Sequence, residues 1–511
     1  MKSKSLKILI TSLIVLFTLT FFSCKQNKKS KAQKIDELIK FCYENDLFNG
    51  AVLIAHHGKV IYKNALGYRN LKTKKKLNLD SLFNIGSITK QFTSMAIMIL
   101  KEHNKLTYDN KLSDYFPDIP KADQITIKHL LTHTSGIHNW TNVQRFRVKG
   151  RPGDFIDDIT NGDVFEYLTE LNSLDFKPGE KYSYSNSGYI LLAMIVEKVS
   201  KTPFHEFMKK NIFEPLDMKD TLVWNQSKPK IPNKTIGYNE YGDLDDFNIL
   251  AAGDGGIYST VEDLYKWNKG LYTETLVSKK TLEEAFSVHQ FNNKTPTRNI
   301  NSEWSYGFGW LFKRDGKDNI VYHDGGFNGF SAFFYRELNK HDCLILLSNK
   351  GTNGPLYPIK DSILKILNDE PFEYPKISIS IKLKKLIDDL GLIYGIEKYH
   401  QLRKKDGEKY NFSENQLNSL GYFYLRMQKL KLAKAIFKLN INIYPNSGNT
   451  YDSYAEACML LGEYDEAIKN YEKSLKLTPD NDNAKKMIKR IKIKKRCQSK
   501  MPSSKKSREI V

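Results

Sequence analysis

The chain has 511 residues, 40% hydrophobic and 12% aromatic, with a formal net charge of +21. That much apolar material excludes wholesale disorder, and the length exceeds one ordinary core, so about two to four domains are expected. The charge does not make the chain a nucleic-acid binder: 12 Lys or Arg and no acid lie between Lys485 and Arg508, so over half of the surplus sits in one terminal tail. Such a tail reads as a solvated extension, with contact to an anionic polymer or membrane as the sharper alternative, and no specific nucleic-acid partner is expected.

In chain order, Lys2, Lys4 and Lys7 precede an apolar run from Ile8 to Phe22, followed by Ser23-Cys24 and then basic, polar residues. This is the outline of a signal peptide over residues 1–24, and its 15-residue centre is short for a spanning helix, which needs about 20. A Cys directly after a small residue resembles a bacterial lipoprotein signal, although Phe21 and Phe22 depart from the usual residues there. The resemblance implies lipidation of Cys24 and a membrane-anchored, extracytoplasmic protein; an uncleaved N-terminal anchor is the alternative. The other cysteines, Cys42, Cys343, Cys458 and Cys497, show no CxxC spacing, so buried single thiols are expected rather than a zinc or disulfide framework.

Residues 33–368 mix strand and helix signals. Ala51 to Ile54, a turn at His56-His57-Gly58 and Val60 to Tyr62 read as a hairpin, and Ile320 to Tyr322, Phe330 to Tyr335 and Cys343 to Leu347 as three later strands. Thr89 to Glu102 and Tyr189 to Val199 carry helical periodicity. Strands from both ends enclosing a helical middle predict an α+β domain, one sheet flanked by helices with an inserted helical lobe. Residues 369–380, with Pro371 and Pro375, read as a linker, residues 381–495 as all helix, and residues 496–511 as the basic tail.

Within the helical part Leu420, Tyr424, Leu430, Ala433, Phe437 and Pro445 recur 34 residues later as Tyr454, Cys458, Tyr464, Ala467, Tyr471 and Pro479. That register resembles the tetratricopeptide repeat, which implies a groove for a protein or peptide partner, or a brace for the preceding domain. Two clear repeats are fewer than the three usually needed, so Leu383 to Arg403 is expected to add a degenerate helix pair, or the array to dock on its neighbour; an ordinary helical bundle is the plain alternative.

The residues with chemistry begin at Asn84-Ile85-Gly86-Ser87-Ile88-Thr89-Lys90. Three helical residues turn by roughly 300° and rise about 4.5 Å, so Lys90 shares a face with Ser87. A serine hydroxyl needs a base, a desolvated lysine can supply one, and a helix N-terminus favours developing negative charge. The spacing alone is weak, because it recurs at Ser227 and Lys230 and at Ser362 and Lys365.

Context sharpens it. Tyr184-Ser185-Asn186 follows about a hundred residues later, and His323-Asp324-Gly325-Gly326 follows Ile320 to Tyr322. Ser-x-x-Lys, Tyr-x-Asn and His-x-Gly in this order resemble the signature of serine β-lactamase-related and penicillin-binding-protein-like hydrolases. The stretches His129 to Gly136, Ala251 to Thr260 and Tyr306 to Trp310 are also similar to that family, so the resemblance spans about residues 40 to 350.

It implies an antiparallel sheet flanked by helices, and Ser87 as a nucleophile forming an acyl-enzyme, with Lys90 and Tyr184 handling its proton in an unresolved division of labour. Asn186 would bond Lys90 and the substrate amide. Gly325 would leave room for substrate, and the Gly326 N–H would join that of Ser87 as an oxyanion hole. His323 stands where the family often has Lys, so carboxylate recognition should weaken. No metal or diffusible cofactor is implied. The expected substrates are small esters, D-amino-acid peptides related to cell-wall stems, and β-lactams, in that order; the rival reading is a non-catalytic scaffold that recruits partners through its repeats.

Competing signals are weaker. His129 and His133 have the i,i+4 spacing of zinc ligands but lack an intervening Glu, and Thr134-Ser135-Gly136 reads as a helix end. Asp254 and Asp324 sit beside Gly and read as turn carboxylates rather than paired acids. Tyr182 reads as packing.

Overall fold

The computed structural model describes residues 29–148, 155–225, 231–287, 289, 291, 304–314, 319–351 and 354–499. Cys24 and the rest of the leader, Ser227 with Lys230, and the tail from residue 500 lie outside the described residues. Among the described residues no helix is long and apolar enough to cross a membrane.

The first domain is built on seven antiparallel strands: β1 (Gly50–His56), β2 (Lys59–Leu66), β3 (Ser305–Tyr306), β4 (Leu311–Arg314), β5 (Asn319–Phe327), β6 (Phe330–Glu337) and β7 (Asp342–Ser348), in the order β2-β1-β7-β6-β5-β4-β3. The hairpin reversal between β1 and β2 falls where expected, with His57 and Gly58 at φ +51° and +75°. β1 and β7 read as unbroken apolar runs because both faces of the sheet are covered. Val52, Ile54, Leu344 and Leu346 meet α1 (Lys31–Glu44) and its neighbour Leu356–Leu367 on one side. Ala51, Leu53, Ile345 and Leu347 point the other way, into the larger core.

That larger core belongs to the helical lobe. Its central helices are α2 (Thr89–Glu102) and α3 (Asn186–Ser200), with α4 (Val261–Gly270) closing it against the sheet and the Leu356–Leu367 helix, α5, on the far side. Every α2 residue from Thr89 to Leu100 is buried, so the helix is enclosed on all sides. Cys42, Cys343 and Cys458 are buried, unpaired thiols.

One register fact positions the site. β5 pairs with β6 from Ile320 to Phe327, but β4 accompanies it only from Asn319 to Tyr322. Beyond His323 the second edge of β5 is therefore left to the Gly86–Ile88 turn that precedes α2.

The chain leaves α5 at Leu367 and enters an all-helical array: α6 (Ile379–Leu390), α7 (Leu392–Lys405), α8 (Glu414–Arg426), α9 (Leu430–Ile443), α10 (Gly448–Leu460), α11 (Tyr464–Leu477) and α12 (Asp482–Ser499). Leu383 to Arg403 does form a helix pair, α6 with α7. Two boundaries differ from expectation. The array opens at Ile379, where Ser378 caps α6 by accepting from the Ile381 N–H. At the other end α12 runs past 495 to Ser499, because no Pro or Gly interrupts it. Small residues set the helix spacing: a Cβ on Gly421 would stand 2.2 Å from the Phe437 ring. The array docks on the first domain, where Tyr241 reaches its core and lies 4.4 Å from Phe423 between ring centroids.

Candidate active site

Gly86 turns the chain from the Phe83–Asn84 strand into α2 at φ +51°, and its N–H donates to Asn84 Oδ1 at 2.9 Å. A side chain there would fail twice, by the left-handed backbone and by a Cβ 2.8 Å from the Gly326 nitrogen. The turn delivers Ser87, half-buried, at the head of α2. One turn on, Lys90 is fully buried.

All three ammonium donor positions of Lys90 are used: on Ser87 Oγ at 3.1 Å, Asn186 Oδ1 at 2.8 Å and the Asp254 carbonyl at 2.8 Å. The Tyr184 hydroxyl donates to the same Ser87 Oγ at 2.9 Å, and its ring centroid is 4.9 Å from Lys90 Nζ. Asn186 is the first residue of α3, so its side chain is fixed by the helix start. Ser87, Lys90, Tyr184 and Asn186 are thus brought together, whereas Ser362 is elsewhere on α5, donating to the Glu373 carbonyl.

Burial lowers the Lys90 ammonium to about 8, against the opposing pull of Asp254 and Asp324. Burial pushes the Tyr184 phenol well above its usual range, with the Ser87 hydrogen bond working the other way. The lysine is therefore close to losing its proton near neutral pH, and the phenol holds its own.

His323, Gly325 and Gly326 lie on the unpaired edge of β5. A Cβ on Gly325 would stand 2.0 Å from the Ile85 carbonyl and 3.3 Å from the Ser87 nitrogen, so the two backbones pass at glycine distance. His323 turns away from the charge-bearing role of a lysine. Its Nδ1–H donates to the Asp324 carbonyl, its Nε2 accepts from the Tyr306 hydroxyl at 3.1 Å, and burial lowers it to about 4. It is a neutral imidazole at pH 7.

One expectation needs correcting and one needs extending. Asp324 is not in a turn but within β5, opposite Phe333 of β6. Asp254 does lie at a chain bend, where it is buried beside Lys90 and accepts from Trp140 Nε1 at 3.1 Å, and burial raises its pKa against the Lys90 charge. Three further residues of the site carried no role in the sequence reading. His133, at φ +56° just past the Ile127–Leu131 helix, accepts at Nδ1 from the Ser185 N–H at 3.1 Å and lies 4.2 Å from the Tyr184 ring. Tyr306 holds His323, and Trp140 holds Asp254. His133, Asp254 and Tyr306 belong to the three connecting stretches already noted, which was the available signal.

His129 serves separately, accepting at Nδ1 from the Thr126 N–H at its helix cap. Tyr182 meets His133 edge-on and Tyr306 at a tilt, with ring centroids 5.9 Å apart in each pair. Among the described residues one trio with metal-ligand atoms in reach, His56, His57 and Asp342, stands at the β1–β2 hairpin tip, where His56 Nδ1 and Asp342 Oδ1 are 2.8 Å apart.

Residues 32–366 match the Beta-lactamase family, and residues 455–484 match a TPR repeat. The chain is 33% identical over 390 residues to penicillin-binding protein 4* of Bacillus subtilis (strain 168), an alignment covering 71% of this chain and 81% of that protein. It is 26% identical over 328 residues to Protein flp of Staphylococcus aureus (strain MW2), covering 62% of this chain and 63% of that one. Among solved structures it is similar to the octameric penicillin-binding protein homologue from Pyrococcus abyssi, with a TM-score of 0.58, 27% identity, and 70% and 81% of the two chains covered. It shares its fold with D-amino acid amidase from Ochrobactrum anthropi SV3, with a TM-score of 0.56, 23% identity, and 66% and 99% covered.

Proposed function

From the premise that this chain belongs to the β-lactamase and penicillin-binding-protein family, we propose that it is a serine hydrolase that cleaves an ester or amide through an acyl-Ser87 intermediate. The observation that carries the reading is the convergence on one oxygen: Ser87 Oγ is met by Lys90 Nζ at 3.1 Å and Tyr184 OH at 2.9 Å.

The two neighbours divide the proton work. Burial lowers Lys90 to about 8, so a neutral fraction is present near pH 7 and takes the Ser87 proton as Oγ attacks the carbonyl carbon. Tyr184, held protonated by burial, gives its proton to the departing oxygen or nitrogen and recovers one from Lys90. The N–H groups of Ser87 and Gly326 receive the carbonyl oxygen as it becomes an oxyanion. Asn186 orients Lys90 and the substrate amide, and Gly325 keeps the strand flat enough for the carbonyl to enter. Water then attacks the acyl-serine as Lys90 takes its proton, and Lys90 returns that proton to Ser87 Oγ as the acyl–oxygen bond breaks and the acid leaves.

Neutral His323 offers no cation to a substrate carboxylate, so small esters stand first among the proposed substrates, ahead of D-amino-acid peptides and β-lactams. The charged start, short apolar centre and Cys24 support a lipid-anchored enzyme acting outside the cytoplasm, and the helical array supports a protein or peptide partner. Intact-protein mass spectrometry after incubation with an ester, D-amino-acid amide and β-lactam panel tests the chemistry. The expected result is one acyl mass on the native protein and none on Ser87→Ala; no adduct from any class would return the protein to the scaffold reading.

A further inference from the structure

The sheet carries a second cluster of chemistry-bearing side chains at the end away from Ser87. Antiparallel register sets Ala55 of β1 opposite Cys343 of β7, so the next pair outward is His56 with Asp342. By strand alternation both project on the side of Val52, Ile54, Leu344 and Leu346, the face covered by α1 and α5. His57 follows at the hairpin turn with φ +51°, where its ring centroid lies 3.9 Å from that of His56. Across the ladder Gly325 is level with Ala332, Leu347 and Ala51, so the cluster stands five residues, about 17 Å, further along β1.

Asp342 organises the three. Only 5% of its side chain is exposed, and its Oδ1 accepts from His56 Nδ1 at 2.8 Å and from the His57 backbone N–H at 2.9 Å. His57 Nδ1 meets the Lys340 carbonyl at 3.2 Å, and its ring is exposed at the tip. His341, although adjacent to Asp342, belongs elsewhere, with its ring 4.6 Å from that of Tyr272.

One ligand atom of each of His56, His57 and Asp342 lies within 4.8 Å of the other two. Donors on a single tetrahedral zinc, bound at about 2.0–2.1 Å, stand about 3.3 Å apart, so a rotation of the exposed His57 ring closes the set. An ion that replaces the proton between His56 Nδ1 and Asp342 gains an imidazole nitrogen and a carboxylate oxygen together, and that proton leaves to solvent. Two imidazoles with one carboxylate suit zinc, nickel or copper(II), whereas magnesium and calcium prefer oxygen donors throughout.

We propose that the β1–β2 hairpin tip binds a divalent transition-metal ion through His56, His57 and Asp342, with the remaining coordination position open to water. The ion ties the first strand of the sheet to its last, joining residues as far as 286 positions apart in sequence. It is independent of the acyl-serine chemistry at the other end of the ladder.

The test is calorimetric titration of the full chain with zinc chloride in a buffer that does not chelate, with magnesium chloride as the control. One zinc should bind per chain, magnesium should not, and the unfolding midpoint should rise with zinc concentration. His57→Gln and Asp342→Asn should each weaken zinc at least about tenfold and leave hydrolysis of a small ester unchanged. His57 lies at the exposed tip, so its variant reads the site even where Asp342→Asn loosens the hairpin. The proposal is overturned if the native chain takes up no zinc, if magnesium binds as well, or if His57→Gln binds zinc with native affinity.

Discussion

The Ser87 pocket and the helical array both bury polar side chains, but they answer them differently. In the pocket Lys90, Tyr184, Asn186, Asp254 and Trp140 come from segments far apart in the chain, and each is held by another member. In the array contacts run between successive helices, α8 with α9, α9 with α10, α10 with α11, and the hydroxyls of buried Tyr424 and Tyr471 find no hydrogen-bond partner. A repeat stabilises itself by packing the next helix, so its polar atoms carry little. A reaction site depends on long-range closure, so its chemistry rests on the bonds among Ser87, Lys90, Tyr184 and Asn186, even though His133 Nε2 and Ser185 Oγ beside them are buried without a partner among the described residues.

The largest way to sharpen this contrast is Ser87→Ala. It should abolish acyl-adduct formation and cut hydrolysis by about 10⁴-fold or more, with the melting temperature near that of the native protein. A residual rate within tenfold of native would mean that another group attacks.

Next is Lys90→Met, which should cost about 10²–10⁴-fold in the acylation rate. The pH profile gives the sign. Lys90 is lowered to about 8, so its base form is lost as pH falls. Acylation should rise about tenfold per unit below pH 8 and level off above it, and the variant should lose that rise. A native rate that falls from pH 6 to 9 would assign the proton to a different group.

Within the array the corresponding break is steric. Gly421 faces Phe437 so closely that Gly421→Leu should overpack the α8–α9 interface by about 1–3 kcal/mol, read as a lower unfolding midpoint of the helical domain. Hydrolysis of a small ester should be unaffected at temperatures where the array stays folded. An unchanged midpoint would show that the helices do not meet at this residue.

Much of this was legible in the sequence, for reasons that differ between the two regions. The array announced itself by period: Ala433 and Ala467, Phe437 and Tyr471 recur at 34 residues because each repeat solves the same packing problem. α2 was legible because apolar periodicity begins at the Gly86 turn. β5 was cut short because Gly325-Gly326 reads as a break. The strand continues since β6 supplies the ladder on one side and the Ser87 turn requires flat backbone on the other. The place of Asp254 in the site was not legible for a related reason. Its Gly neighbours are local, while the burial that makes it part of the site comes from Trp140, over a hundred positions earlier. Local pattern carries turns and periods; it does not carry which distant side chain covers them.

The smallest expected effect probes the joint between the regions. Tyr241 belongs by sequence to the catalytic domain and by contact to the core of the array, its ring tilted against that of Phe423. Tyr241→Ala removes an aromatic pair worth about 0.5–1.5 kcal/mol beyond its buried area, so docking should loosen without unfolding either domain. Hydrogen exchange should quicken in 239–247 and in α8, and proteolysis should quicken in 370–376. Turnover of a small ester should hold, since α2, α3 and β5 fix Ser87, Lys90, Tyr184 and Gly326 within the first domain. If small-ester turnover falls in step with the exchange protection, the array is a brace for the nucleophile itself, and the division between a self-sufficient pocket and an appended array is wrong.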